Sequence, residues 1–174
     1  WYGARSRGAY HREPDLAVAS TEISTDGTHI VLEPGRVAER FGNVLDLRLL
    51  GDVFAENAVA AALALLATGI DEAIIQRAFS TMPVVPGRFE VLMAHPLVVV
   101  DYAHTPDALA RTCATARRLA GSGRVILVFG AGGNRDTGKR VPMGAAAGLG
   151  SDIAIVTTVN PRNEDPRAIA NTLA

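Results

Sequence analysis

The chain has 174 residues, of which 48% are apolar, with 17 basic against 18 acidic side chains and a net charge of −1. Such a chain can build one medium domain or two partial ones around a packed core, which argues against disorder. Balanced charge without a basic stripe speaks against a nucleic-acid partner. The longest strongly apolar stretch, Ala58 to Ala67, is about half of the ~20 residues that span a bilayer, so no membrane partner is expected. The N-terminus, Trp1 to Arg5, has no initiator Met and no signal-peptide layout, and Ala174 stops mid-pattern. A piece of a longer protein is the expectation. The lone Cys113 excludes an internal disulfide and fits a reducing cytoplasm. Its Ala-rich helical setting reads as a buried structural thiol.

In chain order, Leu16 to Ile23 and His29 to Leu32 flank Ser24-Thr25-Asp26-Gly27, a hairpin signal. Val44 to Leu50 reads as a strand, and Ala55 to Thr68 as an Ala/Leu-rich helix closed by Gly69. Asp71 caps a second helix through Phe79. Met82 to Gly87, with two prolines and a glycine, marks a domain boundary, giving domains 1–86 and 87–174.

Past that break the pattern becomes β-α-β-α-β-α. Leu97 to Asp101, Arg124 to Phe129 and Ile153 to Thr157 read as buried parallel strands. Pro106 to Ala120 is a helix capped by Thr105, Val141 to Leu149 is a small-residue helix, and Pro166 opens another behind Asp165. The fold class is α/β, with a parallel sheet and right-handed crossovers. Ligands bind such sheets at the carboxyl ends of the strands, and all three polar clusters lie there.

The first cluster, Asp101-Tyr102-Ala103-His104-Thr105, offers a carboxylate to a ribose diol and flat rings to a nucleotide; the bland alternative is a turn-capping Asp and a surface His. The second, Gly130 to Arg140, is glycine-rich with three basic side chains, suited to an anion through exposed backbone N–H groups, or else a solvated turn. It has neither the Walker A nor the Rossmann spacing. The third is Asn160-Pro161-Arg162-Asn163-Glu164-Asp165. Pro161 should hold Asn160 extended, and Arg162 can project its planar fork to a carboxylate while Asp165 caps the next helix.

Taken in order, Gly87-Arg88-Phe89-Glu90, Val98 to Leu109, Val128 to Asp136, Gly138-Lys139-Arg140 and Asn160-Pro161-Arg162 resemble the Mur ligase family, in particular its diaminopimelate-adding type. Glu56 to Ala61 is similar to the family's Asn-Ala-x-Ala-Ala helix. The resemblance implies the end of a central ATPase domain (1–86) followed by part of a Rossmann-like C-terminal domain (87–174). It implies an ATP-dependent ligase of peptidoglycan synthesis, acting in the cytoplasm on a UDP-muramoyl peptide and a diamino acid. The substrate carboxylate would be activated as an acyl phosphate and attacked by the incoming amine, with closure of two domains excluding water. It assigns Asn57, Arg88, Asp101 and His104 to ATP, and Arg135, Asn160, Pro161 and Arg162 to the amino acid.

The chain departs from the family in three ways. It has no phosphate loop, so the catalytic residues and the Mg²⁺ ligands would lie upstream and the isolated piece would be inert. Val159 stands where the diaminopimelate-type motif has Asp, and Phe54 where the family usually has Asn. Arg162 still favours a second carboxylate on the amino acid. Two other readings stand beside this one: a cyanophycin or folylpolyglutamate type of ligase, and a non-catalytic Mur-like binding module. An incomplete sheet would leave an exposed edge and invite self-association.

Overall fold

A computed structural model describes residues 2–4 and 13–174. The reading of the N-terminus rests on Trp1 and Arg5, which lie outside the described residues. The chain divides into two compact units, Trp1–Val100 and Asp101–Ala174. The composition break read at Met82 to Gly87 lies within the first of them.

The first unit opens with β1 (Tyr2–Ala4), β2 (Leu16–Ser24) and β3 (Gly27–Leu32), then α1 (Arg36–Arg40) and β4 (Val44–Leu47). The strands form one sheet in the order β1-β2-β3-β4, with β1 parallel to β2 and the other pairs antiparallel. The hairpin falls where Asp26-Gly27 announces it, with Ser24 paired to Gly27. Alternation sends Ile30, Leu32, Leu45 and Leu47 to the buried face. Two helices follow, α2 (Asp52–Ala67) and α3 (Glu72–Thr81). Ala55, Ala58, Val59 and Ala62 of α2 and Ile75 of α3 complete that core. The start of α2 is pinned by buried Thr28, whose hydroxyl donates to Leu49 O at 2.8 Å and accepts from Gly51 N–H at 3.0 Å. The helix therefore begins one turn earlier than the Ala/Leu pattern suggests, and Phe54 sits in its first turn. Asp71 caps α3 by accepting from Ala73 N–H.

The unit ends in a hairpin of β5 (Glu90–Ala94) and β6 (Leu97–Val100), joined through His95-Pro96 and antiparallel. This corrects the expectation for Leu97 to Asp101. The strand pairs with its immediate neighbour in sequence, at little loop-closure cost, not with a distant parallel one.

The second unit comprises α4 (Pro106–Ala120), β7 (Ile126–Phe129), α5 (Arg140–Gly150), β8 (Ile153–Val156) and α6 (Pro166–Leu173). β7 and β8 are parallel, with Ile126 opposite Ile153 and Phe129 opposite Val156. Leu109, Phe129, Met143, Ala147, Ile169 and Leu173 form the core. Cys113 is buried, and burial pushes its thiol pKa up, as befits a structural thiol. These strands are not buried on both faces as expected. Ile126 and Val128 are 55% and 60% exposed, and Ile153 and Ile155 are 40% and 46% exposed. Leu127, Phe129 and Val156 pack with the helix residues of that core.

Candidate functional site

In the second unit, residues 130–139 leave the carboxyl end of β7 and residues 157–165 leave that of β8. Because the strands are parallel neighbours, the two loops run side by side. The glycines explain how closely. A Cβ on Gly130 would lie 2.2 Å from Thr157 O, and one on Gly133 would lie 1.8 Å from Pro161 O. Gly133 N–H donates to Asn160 O at 3.1 Å, and Asn134 N–H donates to Glu164 Oε1 at 2.5 Å. Gly138 N–H donates to Asp136 Oδ1 at 2.9 Å. This corrects the reading of the loop as an array of exposed N–H donors. The N–H groups of Gly133, Asn134 and Gly138 are already spent within the protein, and Gly130 and Gly133 permit close backbone approach instead.

Side chains add to the seam. Asn163 N–H donates to Asn134 Oδ1 at 3.1 Å, and the Arg162 guanidinium donates to Gly133 O. Arg140, at the start of α5, is 5% exposed. It faces Glu164 twice, Nη2 to Oε1 at 2.9 Å and Nη1 to Oε2 at 2.8 Å. Such two-point pairing is both directional and strong. The Arg140 guanidinium, followed by the Asn134 N–H, holds the Glu164 carboxyl below its usual range, and Glu164 in turn raises the pKa of Arg140.

Asn160 takes φ 36°, Arg162 φ 52° and Asn134 φ 51°. Pro161 does not hold Asn160 extended as predicted. The bond from Gly133 N–H to Asn160 O fixes the loop, and asparagine tolerates the left-handed region. Arg162 has no such ease there, so its conformation is imposed by its surroundings.

The first cluster meets the second through Lys139, whose ammonium donates to His104 O at 2.9 Å. Asp101 Oδ1 accepts from Ala103 N–H at 2.8 Å and from the Thr112 hydroxyl at 3.1 Å, the turn-capping role. His104 Nδ1 lies 3.0 Å from Tyr102 O, and the two rings meet edge-on with centroids 4.9 Å apart. Tyr102 is 61% exposed. Arg135, Asn160 and Arg162 are all exposed. Thus Asp101, His104, Arg135, Asn160, Pro161 and Arg162 share one end of the second unit. Asn57, exposed on α2, and Arg88, exposed before β5, belong to the first unit. A groove in that unit, lined by Glu22, Asp26, His29, Asp46 and Ser80 among others, contains neither.

Residues 87–174 match the family model described as Mur ligase, glutamate ligase domain. This chain belongs to the Mur ligase family. It is 40% identical over 170 residues to a Syntrophomonas wolfei protein named UDP-N-acetylmuramoyl-L-alanyl-D-glutamate--2,6-diaminopimelate ligase, which covers 97% of this chain and 32% of that protein. A protein of the same name from Aquifex aeolicus is 50% identical over 122 residues, covering 70% of this chain and 25% of that one. Among solved structures, Mycobacterium tuberculosis folylpolyglutamate synthase complexed with ADP and AMPPCP matches at 26% identity with a TM-score of 0.70, over 91% of this chain and 35% of that one. The chain spans about a third of the length of the curated relatives it matches, 32% in the first case. The sequence counts Arg140 among the three cations around the glycine loop, but the structure buries it against Glu164, to which the sequence assigns no role. The signal available was an acid and a base on the loops after two successive strands, which become neighbours only if those strands pair in parallel.

Proposed function

We propose that this chain is part of an ATP-dependent ligase that adds meso-diaminopimelate, or another diamino acid, to a UDP-N-acetylmuramoyl dipeptide in cytoplasmic peptidoglycan synthesis. The observation that carries the reading is the 40% identity across 97% of the chain to a protein named for that reaction. On this reading residues 1–86 close a central ATP-binding domain and 87–174 open the amino-acid-binding domain.

Arg135 and Arg162 present planar guanidinium groups from adjacent loops, the chemistry that suits the carboxylates of an amino acid. Asn160, with Pro161 setting the turn after it, offers an amide to the amino acid's polar head. In the second unit Asp101 and His104 are assigned to the nucleotide, beside the exposed ring of Tyr102; in the first, Asn57 and Arg88. ATP supplies the phosphoryl group that activates the acceptor carboxylate. Mg²⁺ would accompany ATP, with its ligands supplied from outside this chain. No described helix is long and apolar enough to cross a membrane. Self-association through an exposed sheet edge is also expected, and sedimentation at two concentrations would reveal it.

The test is phosphate release and product formation by the full-length protein with ATP, UDP-N-acetylmuramoyl dipeptide and either diaminopimelate or lysine. The expected result is ligation with preference for diaminopimelate. Preference for lysine removes the argument from Arg162, and failure with both diamino acids removes the reading. The 174-residue chain alone is expected to be inactive.

A further inference from the structure

We propose that Arg140 and Glu164 are positioning residues, whose ion pair latches the loop after β8 onto the loop after β7 and thereby fixes where Asn160 and Arg162 meet the incoming amino acid. This rests on the amino-acid site proposed above and adds residues that touch no substrate themselves.

The case begins with burial. The Arg140 side chain is 6% exposed and Glu164 29%, in contrast to the Arg117–Asp152 pair elsewhere in the unit, whose side chains are 41% and 39% exposed. A buried charge losing its partner is left uncompensated, so the Arg140–Glu164 contact is either made in full or strongly disfavoured. Its place is the second point. Arg140 opens α5 and also reaches Gly132 O at 3.5 Å, while Glu164 accepts from Asn134 N–H. One carboxylate thus ties the middle of the glycine loop, at Asn134, to its end, at Arg140. The third point is the conformation held. Asn160 and Arg162 both sit at positive φ, with Pro161 between them packed on Gly133. A loop so disposed relaxes when its clamp is removed. Arg162 already spends one N–H on Gly133 O, so its remaining donors are aimed by the same seam.

The experiment uses the full-length ligase with Glu164→Gln, Arg140→Lys and, as a comparison, Arg117→Ala. KM for diaminopimelate is expected to rise about tenfold in the first two, with KM for ATP within about twofold of the parent and no change in either for Arg117→Ala. Parallel rises in both KM values, or an unchanged KM for the amino acid, overturn the proposal. Hydrogen exchange over residues 157–165 needs no substrate: faster exchange in Glu164→Gln, with α4 unchanged, is expected, and unaltered exchange overturns the latch. A parent that uses neither diamino acid defeats the proposed function, while exchange still decides the latch. If Glu164→Gln does not fold, Asn134→Gly removes the exposed bond to Asn163 N–H at a position whose φ of 51° glycine adopts without strain, and a rise of about threefold in KM for diaminopimelate is expected, no rise overturning the proposal.

Discussion

At Gly133 a methyl group has nowhere to go, because the backbone carbonyl of Pro161 occupies the space. Gly133→Ala is therefore expected to cost about 1–3 kcal/mol, the usual range for overpacking against atoms that cannot yield, or more. Gly148 in α5 is the opposite case, since a Cβ there meets nothing within 4 Å. Gly148→Ala should stabilise by about 0.5–1 kcal/mol through helix propensity and a less free unfolded chain. Urea unfolding of the two variants checks the opposite signs. The sequence displays both glycines equally, but the approach of a backbone from a loop far along the chain is invisible in it. The same limit hid the partnership of Arg140 and Glu164. Val159 offers a third residue-scale test. It is 46% exposed and stands ahead of Asn160. Val159→Asp would give a diamino acid's ammonium an exposed partner worth about 0.2–1 kcal/mol, so KM for diaminopimelate should fall by up to about fivefold. An unchanged or higher KM would remove that role for the position.

Among the elements, those fixed by contacts within a few residues were readable. Thr105 accepts from Ala108 N–H at 3.2 Å with Pro106 in the first turn, and Asp165 accepts from Arg167 N–H at 3.0 Å, both as expected. Thr105→Ala should therefore cost about 1 kcal/mol, read as a lower unfolding midpoint with an unchanged slope. Pairing between strands was less readable. The run Leu97–Val100 is apolar whichever neighbour it takes, and its hairpin with Glu90–Ala94 is decided by the short His95-Pro96 connection. The five-residue α1 and the strand β5 escaped for a related reason, being too short to show a period. Apolar runs alone also could not tell a strand covered on both faces from β7 and β8, whose Ile126, Val128, Ile153 and Ile155 remain exposed.

At the scale of the whole molecule, three carboxylates among the described residues tie stability to pH. Glu72 is held below its usual range by Arg40, Asp152 by the Val125 N–H and then Arg117, and Glu164 by Arg140 and the Asn134 N–H. Each stays ionised in the folded chain to a lower pH than in the unfolded one. Their contribution is thus complete above the ordinary carboxylate range, about pH 4, and is lost as pH falls through the lowered folded values, because the unfolded chain binds protons first. Salt should weaken the Arg117–Asp152 share more than the Arg140–Glu164 share, since the former pair is the more exposed. Melting temperature should accordingly drop on acidification from about pH 5 downward. In Glu164→Gln the melting temperature should be lower at neutral pH and its decline shallower, so that the two curves converge in acid. Curves that stay parallel would mean that Glu164 is not depressed in the folded chain, and that the contact with Arg140 is not made as described.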